Sequence, residues 1–208
     1  MKSPHARLIV MSKAPVRGRV KTRLIPLLGE AGAMSLHQAL LEETLAKLSR
    51  AGLCPVELCC APDVRHAYFA DARSRFSLTL SAQSDGDLGR RMSTAIRQGL
   101  QQAREVVLVG TDCPDLAPAD VAAALALLAA GNDVVLGPSR DGGYYLIAMR
   151  AHHPALFEDI PWGSDRVMAL TRQRISACGL TCAMLDVRED IDTPADYQAW
   201  QQRVAPVT

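Results

Sequence analysis

Short runs of apolar, often β-branched residues alternate along the chain with longer stretches whose apolar positions recur every three or four residues. The first pattern predicts buried strands, the second helices packed by one face. Arg7 to Met11 reads as a first strand. From Glu30 to Arg50, Met34, Leu41, Leu45 and Leu48 fall on one helical face, and Gly52 ends the run. Strands follow at Pro55 to Cys60 and Ser77 to Ala82. Asp87 to Ala103 predicts a helix with Leu88, Met92, Ala95 and Ile96 on one stripe. Val106 to Val109 is a fully apolar strand ended by Gly110. Ala117 to Ala130 reads as a helix, with Pro118 in its first turn and Gly131 just beyond its end. Asp133 to Leu136 and Tyr144 to Met149 are further strands. Ser164 to Cys178 is a helix closed by Gly179, Thr181 to Leu185 a late strand, and Thr193 to Val204 a terminal helix.

Strands that are continuous apolar runs, set between helices, argue for a mainly parallel sheet covered on both faces. There is no internal repeat, low-complexity tract or linker. The expectation is one α/β domain over residues 1–208, with ligands just beyond the carboxyl ends of the strands.

Composition narrows the function. Apolar residues make up 49% of the 208, enough for a sizeable core. Lys plus Arg is 23 against 22 for Asp plus Glu, so the basic excess expected of a nucleic-acid-binding protein is missing. No stretch is long enough to span a membrane, and Leu8 to Met11 is too short for a signal-peptide core. Cys54, Cys59, Cys60, Cys113, Cys178 and Cys182 show neither Cys-x-x-Cys nor zinc spacing and read as free thiols. A cytoplasmic location is expected.

Five clusters carry candidate chemistry. After the first strand, Lys13, Arg17, Arg19, Lys21 and Arg23 fall within eleven residues, with Pro15, Gly18 and Thr22 among them. Cations on a strand-to-helix turn suit phosphate, and Gly18 permits close backbone approach. Neither a Walker A loop nor Gly-x-Gly-x-x-Gly is present. After the most apolar strand, Asp112 and Asp115 suit a hard cation such as Mg²⁺ or Mn²⁺, although Asp115 could instead cap the next helix. Asp141-Gly142-Gly143 lies between two strands. It could be only a hairpin turn, or it could bare backbone amides to a sugar or phosphate, with Asp141 holding hydroxyls or acting as a base. Tyr144 and Tyr145 offer a stacking face or core packing. Asp192 could cap the helix beginning near Thr193 or reach the same metal as Asp112; spacing alone favours the cap. Trp162, on a loop, could stack on a sugar ring or anchor the loop. No Ser-His-Asp elbow, His-Glu-x-x-His or cysteine-based motif supports a hydrolase.

Together these segments form a recognisable set: Lys13-Ala-Pro15-x-x-Gly18-x-x-Lys21-Thr22-Arg23-Leu24, Gly110-Thr111-Asp112-Cys113-Pro114-Asp115-Leu116, Gly137-Pro138-x-x-Asp141-Gly142-Gly143-Tyr144, and Pro161-Trp162. From about Leu8 to Trp200 the chain resembles a bacterial family of small GT-A-type proteins. That family is labelled either as a domain of uncharacterised function or as a glycosyltransferase of the arsenosugar-biosynthesis type. The chain is more distantly similar to nucleotidylyltransferases for molybdopterin and phospholactate. The resemblance implies a Rossmann-like nucleotide-diphospho-sugar transferase sandwich with a mostly parallel, mixed sheet. It implies phosphate binding by Gly18, Lys21 and Arg23, with Lys13, Pro15 and Thr22 alongside, and a metal on Asp112. It turns Asp192 from cap to second metal contact. The glycosyltransferase Asp-x-Asp is replaced by Asp112-Cys-Pro-Asp115.

The leading expectation is a metal-dependent enzyme moving a glycosyl group from a nucleotide sugar to a small acceptor. Lys21 and Asp141 would be catalytic, Gly142, Gly143, Tyr144 and Trp162 would meet the sugar or acceptor, and Asp112, Asp115 and Asp192 would meet Mg²⁺ or Mn²⁺. The alternative is a nucleotidylyltransferase that consumes a nucleoside triphosphate and releases pyrophosphate. A non-catalytic nucleotide-binding module is the third.

Overall fold

The computed structural model describes residues 3–204. A seven-stranded sheet has the order β3-β2-β1-β4-β6-β5-β7. Its strands are β1 (Ala6–Lys13), β2 (Val56–Ala61), β3 (Thr79–Ala82), β4 (Glu105–Val109), β5 (Val134–Pro138), β6 (Tyr144–Met149) and β7 (Cys182–Met184). Strand β6 runs antiparallel to both its neighbours, and the remaining pairings are parallel. This is the mixed, mostly parallel sheet expected. The apolar runs of β1, β2, β4, β5 and β6 are buried because helices cover both faces. Helices α1 (Ile25–Ala51), α2 (Ala67–Phe76) and α4 (Pro118–Ala129) share one core with Leu8, Val10, Leu58, Val107 and Leu146. Helices α3 (Leu88–Leu100) and α5 (Val167–Ala177) cover the other face over Ile9, Val106, Leu108 and Ile147. Each fully buried Leu or Ile contributes roughly 1.5–3 kcal/mol. Alternate residues of one strand therefore pin helices on opposite sides. Helix α6 (Pro194–Val204) packs Tyr197 and Trp200 against a smaller cluster containing Leu24 and Ile191.

Most element boundaries match the sequence pattern. Glu30 does start the long part of α1: Gly29 at φ 68° and ψ 167° separates it from a short turn at Ile25. Asp87 caps α3 by accepting from the Arg90 amide at 2.8 Å. Helix α2 was not anticipated. It buries only Phe69 and Ala72, one step of a helical stripe, in an otherwise polar segment. No helix of the described residues is long and apolar enough to cross a membrane. All six cysteines are free.

Candidate functional site

A cavity of about 500 Å³ opens beyond the carboxyl ends of β1 and β4, in the size range of small-molecule sites. One wall is formed by Lys13 and by Val20 to Arg23. The facing loops follow β4, join β5 to β6, and follow β7. They bring Asp112, Asp141, Asp190 and Asp192 to the cavity.

Lys21 joins the two walls. Its side chain is 3% exposed although it sits on a surface loop. Its ammonium donates to the Asp112 carboxylate at 2.5 Å, the Asp192 carboxylate at 2.9 Å and the Ile191 carbonyl at 2.5 Å. The backbone reaches this position through a left-handed conformation, φ 46°, which is uncommon outside glycine and costs conformational energy. Burial alone would lower the Lys21 pKa. Asp112 and then Asp192 outweigh it, so the pKa is raised and the side chain is charged.

Asp192 is not a helix cap. Thr193 takes that role, its hydroxyl accepting from the Asp196 amide at 3.3 Å, while the Asp196 carboxylate reaches back to the amides of Asp192 at 3.2 Å and Thr193 at 2.7 Å. The Asp192 carboxylate is thereby left to Lys21. Asp115, expected beside Asp112, is elsewhere: its carboxylate pairs with Arg203 at 3.0 Å and does not line the cavity. Nor does it cap α4, since Asp120 accepts from the Ala117 amide at 2.9 Å. Proline at position 114 turns the chain between the two aspartates, which is why four-residue spacing does not put them together.

Lys13, Thr22 and Arg23 line the cavity, but Pro15 and Gly18 do not. Gly18 has φ 69°, and a Cβ there would press on the Glu30 carboxylate, so this glycine shapes the turn. Asp141-Gly142-Gly143 forms the hairpin between β5 and β6, and Asp141 and Gly143 also meet the cavity. The Asp141 carboxylate accepts from the Ser139 hydroxyl and from the Gly143 amide at 2.9 Å. Asp141 and Gly143 reach the cavity, whereas Gly142, at φ 89°, is packed against the backbone of Asp165, where a Cβ would collide. Tyr145 is a core residue, 3% exposed, lying over Gly137. Tyr144 and Trp162 meet edge to face at 6.3 Å and together line the cavity. Trp162 is also a loop anchor, pressed on Gly89 of α3.

Several cavity residues were not singled out in the sequence. His37 on α1 is buried, and its Nε2–H donates to the Lys13 carbonyl at 2.9 Å. Burial lowers its pKa, which leaves it neutral near pH 7. Gln83 donates to the carbonyls of Ser12 at 3.2 Å and Cys59 at 3.0 Å. Arg91 is braced by the Gly86 carbonyl at 2.9 Å. Nothing in local spacing marks these three. Asp190 stands two residues before Asp192 in the same sequence cluster, and both reach the cavity. Burial, followed by repulsion from Asp112, Asp141 and Asp192, pushes the Asp190 carboxyl up to about 7. Cys113 also lines the cavity, but burial, with Asp190 next, pushes its thiol up to about 12. A thiolate nucleophile is therefore disfavoured.

The donor set fits a divalent cation. One oxygen of Asp190 is buried without a hydrogen-bond partner, and Asp112 and Asp192 flank it. Among the described residues no three His, Cys, Asp or Glu side chains form a ready-made metal cage. Mg²⁺ does not need one, since it is commonly held by one or two carboxylates together with phosphate oxygens and water.

Sheet order, cavity position and facing basic and acidic walls define the nucleotide-diphospho-sugar transferase type of α/β fold. A protein of Desulfovibrio desulfuricans G20, provisionally named a nucleotide-diphospho-sugar transferase, has a solved structure that superposes with a TM-score of 0.87. It is 28% identical, over 99% of this chain and 90% of that one. The chain belongs to the family described as "Uncharacterized protein conserved in bacteria (DUF2064)", whose model matches residues 44–164. A relative named 3-phospho-D-glycerate guanylyltransferase, from Phenylobacterium zucineum (strain HLK1), is 32% identical over 197 residues, 87% of this chain and 84% of that protein. Two more distant structures share the fold. One is 4-diphosphocytidyl-2C-methyl-D-erythritol synthase of Anaerococcus prevotii, with a TM-score of 0.62 and 14% identity over 96% of this chain and 99% of that one. The other is glucosyl-3-phosphoglycerate synthase of Mycobacterium tuberculosis, solved with Mn²⁺, UDP and product, with a TM-score of 0.57 and 13% identity over 96% of this chain and 76% of that one.

Proposed function

We propose that the protein is a metal-dependent nucleotidylyltransferase that moves a nucleoside monophosphate from a nucleoside triphosphate to a small phosphorylated acceptor, releasing pyrophosphate. The observation that carries this reading is the convergence of Lys21, Asp112 and Asp192 in a cavity that also receives Lys13, Arg23 and Arg91. A triphosphate holds more charge than a diphosphate esterified to a sugar, and these cations suit the larger load. The guanylyltransferase relative supports the same chemistry, with GTP as donor and 3-phospho-D-glycerate as the first acceptor to try. This ranks nucleotidylyl transfer above the glycosyl transfer that the sequence alone put first.

An acceptor phosphate oxygen attacks the α-phosphorus of the triphosphate. The bond between that phosphorus and the oxygen bridging to the β-phosphate breaks, and the electron pair leaves with pyrophosphate. Asp112, Asp190 and Asp192 would hold Mg²⁺ or Mn²⁺, which neutralises phosphate charge when bound. Lys21 and the exposed cations Lys13 and Arg23 offset the charge that grows on the leaving group. Asp141, fixed by Ser139 and Gly143, holds a hydroxyl of the acceptor, and the Tyr144–Trp162 pair walls its apolar side. Glycosyl transfer is the second reading, favoured by Asp141, whose placement also suits a sugar hydroxyl.

Calorimetric titration with Mn²⁺ present separates the two. GTP is expected to bind at least tenfold more tightly than a guanosine-diphosphate sugar, and Asp141→Ala to affect the two ligands alike. A sugar nucleotide that binds as tightly as GTP, and loses more on Asp141→Ala, would restore glycosyl transfer.

A further inference from the structure

Four carboxylates facing one cavity repel one another, and Lys21 touches only two of them. Something else must hold three separate loops together. Arg188, outside the cavity, is placed to do so. Its guanidinium donates to the Asp120 carboxylate at 2.8 Å, and the Asp120 side chain is 8% exposed. The other oxygen of that carboxylate accepts from the Ala117 amide at 2.9 Å, fixing the start of α4 and hence the end of the loop that carries Asp112. The backbone of Arg188 is bound on both sides to the second loop. Its amide donates to the Pro138 carbonyl and its carbonyl accepts from the Arg140 amide, each at 3.0 Å. That seats the hairpin carrying Asp141. Within Arg188's own segment, the Ile191 amide donates to the Asp112 carbonyl at 2.9 Å, which brings Asp190 and Asp192 alongside. An outer chain of pairs, Arg140–Glu189–Arg203–Asp115, follows the same route but is exposed, and pairs of that kind contribute little. The Arg188–Asp120 link, with its carboxylate buried and its guanidinium half-buried, therefore carries the restraint.

We propose that Arg188, through Asp120, is a positioning residue that keeps the loops bearing Asp112, Asp141 and Asp190–Asp192 converged. It acts on the proposed metal–nucleotide site without touching the ligand. The consequence is a coupled release: breaking this one pair frees all three loops together, while the sheet beneath stays intact.

Hydrogen exchange of the ligand-free protein tests the proposal independently of what the cavity binds. Arg188→Ala and the gentler Asp120→Asn are compared with the parent and with Arg150→Ala. The last breaks an exposed pair with Asp133 at 3.1 Å and serves as control. Peptides over residues 110–117, 138–143 and 188–192 are expected to exchange at least tenfold faster in both clamp variants, with strands β1 and β4 unchanged. The control should leave all three segments alone. Arg188→Lys, which restores the charge, should recover part of the protection. If Arg188→Ala fails to fold, Asp120→Asn decides the outcome. Faster exchange confined to residues 188–192, or spread evenly over the sheet, would overturn the proposal. In parallel, Mn²⁺–GTP affinity should fall at least tenfold in the clamp variants and stay within twofold in the control. A parent that binds no Mn²⁺–GTP would count against the proposed function, and the exchange result would still stand for or against the clamp.

Discussion

Lys13 and Arg23, on one side of the cavity, are exposed and make no ion pair among the described residues. Across the cavity, Asp112 and Asp192 share a buried lysine, Asp190 has one oxygen buried, and their loops are cross-linked by backbone bonds. The cations relieve their mutual repulsion by facing water. The carboxylates have been brought together against repulsion by Lys21 and by the scaffold under the loops. A ligand that joins the walls must therefore bring negative charge to one and positive charge to the other. A metal-bound triphosphate does both.

Removing the residue common to both walls should have the largest effect. Lys21→Ala leaves Asp112 and Asp192 without their shared cation and removes the proposed phosphate contact. It is expected to weaken GTP binding by far more than tenfold in a titration and to lower the melting temperature by several degrees, since two ion pairs disappear. Next is Asp112→Asn, which keeps shape and removes one charge. Metal-dependent nucleotide binding should vanish while circular dichroism is unchanged; binding equal to the parent's would remove Asp112 from the metal site.

Asp190→Asn sharpens the contrast through pH. A carboxyl raised to about 7 in the folded protein, from its ordinary value of 3.8, binds its proton more tightly folded than unfolded. Its contribution favours folding at low pH and is lost as pH rises from about 4 to about 7. In metal-free protein the Asn variant should therefore melt higher than the parent at pH 8 and show little difference at pH 4. A variant that melts lower at pH 8 would mean Asp190 is already compensated. The smallest effect is expected at Asp115, where Asn should change Mn²⁺–GTP affinity less than twofold, because that carboxylate serves Arg203 on the surface.

Much of this arrangement was legible in the sequence. Apolar runs and capping residues located β1, β4, β6 and α4 to within a residue or two, because burial leaves a strong periodic signal. The basic loop and Asp112 stood out as charges directly after strands. Asp192 could be assigned to the site through resemblance; its local spacing also fits a cap, and only the fold shows Thr193 and Asp196 capping the helix between them. Asp115 misled because adjacency in sequence says little about direction once a proline intervenes. His37, Gln83 and Arg188 were invisible: each acts through a partner 24 to 71 residues away, a relation no local pattern records.

Nucleotidylyl and glycosyl transfer differ in which bond is broken. Phosphorus magnetic resonance of the protein incubated with GTP, 3-phospho-D-glycerate and Mg²⁺ reads it directly. Nucleotidylyl transfer predicts inorganic pyrophosphate and a new phosphoric-anhydride product appearing together, both abolished in Asp112→Asn. Pyrophosphate that fails to appear with any nucleoside triphosphate, while a nucleoside diphosphate is released from a nucleotide sugar under the same conditions, would contradict it.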